Sequence, residues 1–212
     1  GYSGLSNVTG AYLHDNLIDK RIIDTDGVIV NANAANGNKM YTIGASVAAA
    51  TENAAITGTV VLTRADGKTD ALISDSEITN AKEVGAAAAD TTYTYTVMGN
   101  VAAGAKAGVG AGVGAGIGLS VGVLQDDSVT EAEVSGSTVN SSGNQSITAT
   151  NKTVANPAIA ATGVAGAGAG VAGAVSVNNI NSKVKTNITN AALTAANGSI
   201  AVAAKNTVAI DA

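Results

Sequence analysis

Residues 108–123 read GVGAGVGAGIGLSVGV. Glycine stands at every even position from 108 to 118 and again at 122, and every odd position is Val, Ala, Ile or Leu. A period of two belongs to a β-strand, whose successive side chains point to opposite faces. The stretch also lies in an uncharged run, 107–125, long enough to cross a bilayer as a helix; a second such run covers 153–182. Gly108, Gly112 and Gly116 even have the GxxxG spacing of packed transmembrane helices. Magnitudes decide against that helix. Its seven glycines cost about 1 kcal/mol each in a helix. Its seven Val, Ile and Leu return only about 0.3–0.6 kcal/mol each on insertion. A transmembrane strand would share the alternation, but the aromatic girdles are missing.

Glycine weakens a strand, so a face made of it implies that something approaches too closely for a side chain. Gly108, Gly110, Gly112, Gly114, Gly116 and Gly118 are therefore expected to be structural, with another sheet layer or chain against them. Their counterparts are Gly166, Gly168 and Gly170. The aliphatic face, Val109 to Leu119, is expected to be buried.

The pattern recurs along the chain. AGAGAGVAGAVSVNN (165–179) matches VGAGVGAGIGLSVGV (109–123) at an offset of 56, with Ser176-Val177 on Ser120-Val121. VTEAEVSGSTVN (129–140) matches VKTNITNAALTA (184–195) and TDALISDSEITN (69–80). In each, an aliphatic residue, a polar turn and a second aliphatic follow one another: Ile73/Ile78, Val134/Val139 and Ile188/Leu193. SITATNKTV (146–154) matches SIAVAAKNTV (199–208), and VIVNANAANG (28–37) looks like an earlier copy. The unit is about 53–63 residues. The copies span approximately 28–83, 84–146 and 147–199, with a partial copy at 200–212; residues 1–27 form a separate N-terminal segment of no evident role. Asn, Gly, Asp and Ser between the segments supply turns.

Composition sets the core. There are five Tyr and no Phe or Trp, so the interior must be built from small aliphatics in a thin, closely stacked layer. Pro157 is the only proline, as strands paired on both edges require. The fold class expected is all-β, a parallel β-helix or β-solenoid built from these repeats, each unit dividing into three rungs of about 19 residues.

The order GAGAGVAGAVSVNNINSKVKTNITNAALTAANGSIAVAAKN resembles the repeats of giant secreted bacterial adhesins and hemagglutinin-like proteins. These include autotransporter passengers and the leukotoxin-like surface proteins of anaerobic Gram-negative bacteria. Ser176-Val177-Asn178, the Ala132–Val139 segment and the Ile200–Ala204 segment match three elements of those repeats. The resemblance covers about residues 28–212. It implies a right-handed parallel β-helix, export to the cell surface, and either adhesion to a receptor on a host or neighbouring cell or a stalk role; it brings no catalytic residue. The start at Gly1 is neither charged nor followed by an apolar run, so the chain reads as a fragment of a longer exported, virulence-associated protein.

Little in the sequence carries chemistry. The formal net charge is −5 and Lys20-Arg21 is the only adjacent basic pair, which argues against nucleic-acid binding. There is no Cys, hence no thiolate ligand or nucleophile. His14 is the single histidine, read as a surface or turn residue. Asp24 and Asp26 in DTDG make a weak calcium candidate, since the further ligands of a calcium loop are missing. Asp70, Asp75, Glu77 and Asp126-Asp127 are other oxygen donors, read as solvated turn carboxylates. No enzyme activity, cofactor or metal is expected. The partners expected are a cell-surface receptor and further copies of the chain, through the solenoid ends. Stable membrane insertion is not expected. A self-assembling fibre subunit and a membrane-active toxin segment are the alternatives.

Overall fold

The computed structural model describes residues 2–14, 21–23, 25–50, 54–104, 115–165 and 170–211. Among these there is no helix. Fourteen strands form three sheets, and every strand pair is parallel. The chain visits the sheets in a fixed order. A first pass lays down β1 (Tyr2–Leu13), β2 (Arg21–Ile23) and β3 (Val28–Ala50), one in each sheet. A second lays down β4 (Ala54–Ser74), β5 (Glu77–Ala81) and β6 (Val84–Gly104). The third contributes β7 (Ala115–Asp126) and β8 (Val129–Ser135) to the first sheet, then β9 (Thr138–Ser141) and β10 (Gln145–Ala165). The fourth repeats this with β11 (Gly170–Ile180), β12 (Lys183–Thr189), β13 (Ala192–Ala195) and β14 (Ile200–Ile210).

Each ladder joins residues one pass apart. Val28 pairs with Val84, Val84 with Gln145, and Gln145 with Ile200. The repeat of 53–63 residues is thus the length of one pass, not three stacked rungs of about 19 as the sequence suggested. The aliphatic pairs that frame the polar turn stack as aligned: Ile73 on Val134 on Ile188, and Ile78 on Val139 on Leu193. In the glycine-rich strands the ladder differs from the sequence match by two residues, setting Ser176 on Gly122 and Val175 on Val121. A shift of two leaves every side chain on its own face, so both registers satisfy the alternation.

The corner after the first sheet shows why those turn residues recur. Asp75, Gly136 and Asn190 each directly follow stacked residues (Ser74, Ser135, Thr189), and each has φ of 47–56°. Asp, Asn and Gly tolerate this left-handed conformation best. The Asp75 N–H donates to the Ser135 carbonyl and the Gly136 N–H to the Thr189 carbonyl, at 3.0 and 2.9 Å, so the turns hydrogen-bond from pass to pass.

Two halves of the molecule pack in opposite ways. In one, all three sheets contribute to an apolar core: Val30, Val84, Ala86 and Ile147 meet Ala71, Ile73, Ala132 and Val134, with Ile78 and Val139 from the short sheet. In the other, only the first and third sheets face each other. There the interior is rich in Thr, Ser, Asn and Gly, with Met40, Val61, Met98 and Leu124 buried among them. Asn100 accepts from Ser46 at 2.7 Å and from Thr59, and donates to Ser120 at 2.6 Å. Thr63 bonds to Thr42 and Thr96 at 3.0 and 3.2 Å.

This inner layer explains the glycine face where it is described. Gly116, Gly118 and Gly122 point inward and are buried. A Cβ on Gly122 would run into Met98, and one on Gly44 into Val61 and Thr59. The opposite face corrects the sequence expectation. Ile117 and Leu119 point outward, 40% and 51% exposed, as do Ile43, Val47, Ile56 and Val60. Inside, glycines, hydroxyls and amides share the space with Val61, Met98 and Leu124, while these other aliphatics face outward. Gly108, Gly110, Gly112, Gly114, Gly166 and Gly168 lie outside the described residues, and Gly170 is exposed on the last pass.

Gly44→Val should therefore lower stability by about 1–3 kcal/mol, because Val61 and Thr59 are β-branched and cannot swing aside. Ala45→Val, one residue along on the outward face, should change it by less than about 0.5 kcal/mol. Thermal melts of both variants decide the matter; equal losses would place both residues in the same environment.

Candidate functional site

The candidates raised by the sequence are scattered. The His14 ring nitrogen Nδ1 lies 2.6 Å from the Ser74 hydroxyl and 3.8 Å from Asp75, on the exposed corner. Asp26 is exposed and pairs with Lys82, one pass away; Asp24 lies outside the described residues. Among the described residues no three His, Cys, Asp or Glu side chains come together as a metal-binding group.

Two polar clusters emerge that no local motif announces. The first lies on the outer surface of the first sheet, where parallel pairing sets Asp70 beside Glu131 and Leu72 beside Glu133, with Tyr12 against Leu72 from the first pass. With Lys68 they line a cleft of about 100 Å³. Lys68 is hydrogen-bonded to Asp70, and this bond, with the charges of Asp70 and Glu131 behind it, holds its ammonium above the usual 10.5. Glu131 also accepts from the Asn187 amide. Three carboxylates against one ammonium leave the cleft anionic. It offers acceptors to a cationic or hydroxyl-bearing group, and a phenol edge to pack against it.

The second cluster is internal, where the apolar half gives way to the polar half. Asp126, at the end of β7, is fully buried; it accepts from the Thr153 hydroxyl at 2.7 Å and the Ser128 N–H at 3.0 Å. Asp90, on β6, is 3% exposed and accepts from Asn38 and Thr92 at 3.2 and 3.3 Å. Asn151 stacks directly on Asp90 and its side-chain amide donates to Oδ1 of Asn206 at 3.1 Å. Burial, reinforced by the charge of Asp126, raises the Asp90 carboxyl above its usual 3.8 against the hydrogen bond from Thr92. Sequence reading placed Asp126 among solvated turns and passed over Asp90, whose neighbours Thr91-Thr92 signal only a strand. The one available sign was a charge in an inward position of the alternation.

No family model matches the chain, and neither a curated protein nor a solved structure is similar to it.

A carboxyl whose pKa is raised in the folded state destabilises that state once ionised. The effect is absent below the ordinary 3.8 and grows as pH rises through the folded value. In chelator, Asp90→Asn should therefore gain melting temperature relative to the parent as pH goes from 3.5 to 7. A difference constant across that range would show that Asp90 is not perturbed.

Proposed function

We propose that the chain is a non-enzymatic segment of a right-handed β-solenoid in a large secreted bacterial surface protein, where it extends or presents an adhesive region to a receptor on another cell. The observation that carries this is the ladder. Four passes stack in parallel, every sheet keeps chain order, and each pass repeats the last at a distance of 54–61 residues. Repeats of this kind bury their apolar faces only against neighbouring repeats. The resemblance to adhesin and leukotoxin-like repeats supplies the surface setting. His14 on an exposed corner and the absence of cysteine support a role without catalysis.

The edge of the fourth pass supports self-assembly. β14 pairs with β10 on one side only, and its inward Val202, Val208 and Ile210 are 46–53% exposed. Their ladder partners Ile147, Thr153 and Ala155 are buried. An open edge above an uncovered core is a template for the next strand. The isolated chain should therefore associate end to end. Sedimentation velocity should show mass rising with concentration, and Val202→Lys with Val208→Lys should reduce it to monomer. A monomer at all concentrations would remove the fibre reading and leave a segment that needs the rest of its own protein.

One observation favours the membrane-active alternative. The two-sheet half holds Thr, Ser and Asn beside Val61, Met98 and Leu124 within, and is aliphatic on both outer faces. No charged residue occurs in its described segments, 40–50, 54–63, 92–104 and 115–125. About ten residues of strand span roughly 30 Å, the thickness of a bilayer's hydrocarbon core. No described helix is long and apolar enough to cross a membrane, so lipid contact would have to be made by strands. Flotation with phosphatidylcholine vesicles tests it: co-flotation lost on Ile43→Asp and Ile117→Asp supports it, and no co-flotation removes it.

A further inference from the structure

We propose that the chain binds a calcium ion internally, between Asp90 on the third sheet and Asp126 on the first, with the side-chain oxygens of Asn151 and Ser128 completing the site. Both carboxylates are almost wholly withdrawn from water, at 3% and 0% exposure. Among the described residues neither makes an ion pair; the pairs formed there by Arg64, Lys68 and Lys82 go to Asp66, Asp127, Asp70 and Asp26. Asp90 accepts from the Asn38 amide, the Thr92 hydroxyl and the Thr91 N–H, and Asp126 from the Thr153 hydroxyl and the Ser128 N–H; none of these donors carries a charge. A buried carboxyl without a basic partner either takes up a proton or coordinates a metal.

An independent sign lies in the oxygens around them. Among the described residues Asn151 Oδ1, Ser128 Oγ and Thr130 Oγ1 are buried without a hydrogen-bond partner, as are Asp70 Oδ1, Thr94 Oγ1 and Gln145 Oε1 elsewhere. Asn151, Ser128 and Thr130 are themselves 1%, 2% and 0% exposed. Asn151 sits beside Asp90 in the ladder, and its amide nitrogen contacts the same Thr153 hydroxyl that donates to Asp126. Ser128 follows Asp126 by two residues and donates its N–H to that carboxylate. Two of these oxygens belong to residues that adjoin the carboxylates, Asn151 beside Asp90 and Ser128 beside Asp126, and orphaned acceptors are uncommon in a folded interior.

The donor set selects the ion. It contains two carboxylates, an amide oxygen and hydroxyls, with no nitrogen or sulfur ligand. That is the environment of a hard cation, and two negative charges match a divalent one. Calcium takes six to eight oxygens in loose geometry, whereas magnesium demands an octahedron and keeps its waters. Three side chains fixed in strands of two facing sheets, with Ser128 in the corner between β7 and β8, suit the former. The ion would tie the sheets together where the apolar core ends.

Isothermal titration of the chelator-treated chain with calcium chloride, and thermal melts in calcium against EGTA, test this. One ion per chain is expected, with the melting midpoint raised by about 5–10 °C at a hundredfold excess over the dissociation constant. Magnesium should produce a smaller rise. Asp126→Asn and Asp90→Asn should each abolish the calcium-dependent rise, and Asp127→Asn, the neighbouring carboxylate on the other face, should keep it. Should either buried variant fail to fold, the parent's stoichiometry and the reversal of its shift by EGTA still decide. No binding by the folded parent at millimolar calcium overturns the proposal. So does a shift that survives both buried substitutions, which would assign the ion to surface carboxylates such as Glu131 and Glu133.

Discussion

Backbone hydrogen bonding between successive passes governs the rest of this structure. Parallel strands lie about 4.8 Å apart, so whatever residue occupies a position in one pass sits directly over its counterpart in the next. Every feature must therefore be tolerable when stacked on itself. Small aliphatics, hydroxyls and amides satisfy that condition, and so do left-handed corners when Asp, Gly and Asn alternate there. Gly143 and Gly198 show the limit of the spacing, since a Cβ on the first would meet the Lys82 carbonyl and a Cβ on the second the Gly143 backbone.

The same ladder carries two kinds of interior. Where three sheets converge there is space for Ile and Val, and water is excluded in the ordinary way. Where only two sheets face each other, opposed strands come close enough that glycine is needed at positions 44 and 122, and hydroxyl and amide groups bridge the gap. Those bridges join the polar side chains of the interior, which pack beside Val61, Met98 and Leu124, while Ile43, Val47, Ile117 and Leu119 face outward. The buried carboxylates of Asp90 and Asp126 lie at the boundary, with Thr, Asn and Ser around them and the apolar cluster beyond. Ion pairs of Arg64 and Lys68 mark a similar boundary on the outer surface of the first sheet.

The open edge of β14 and the cleft at Tyr12 belong to the same logic. A ladder has no intrinsic end, so the apolar inward positions of its last strand stay uncovered until another strand is added. The cleft exists because three different passes set Tyr12, Asp70 and Glu131 side by side. No single stretch of chain holds those groups together.

The sequence by itself determined the strands, the parallel repetition and the turns. Alternation, glycine content and a recurring unit are local properties, and the stacked aliphatics at 73/134/188 and 78/139/193 can be aligned by eye. The sequence also implied that the glycine face meets a close neighbour. It could not say which face of an alternating strand points inward, because Gly/Val alternation reads the same whether the aliphatics fill a core or cover it. Only the distance between the facing sheets decides that, and the distance depends on residues about fifty positions away. For the same reason Ile117 and Leu119 were assigned to the interior, and Asp126 to a solvated turn. Asp90 and Asp126 are 36 residues apart in the chain and become one site only when two sheets close over them. The tertiary structure made that decision, through the burial of groups that each local sequence presents as ordinary.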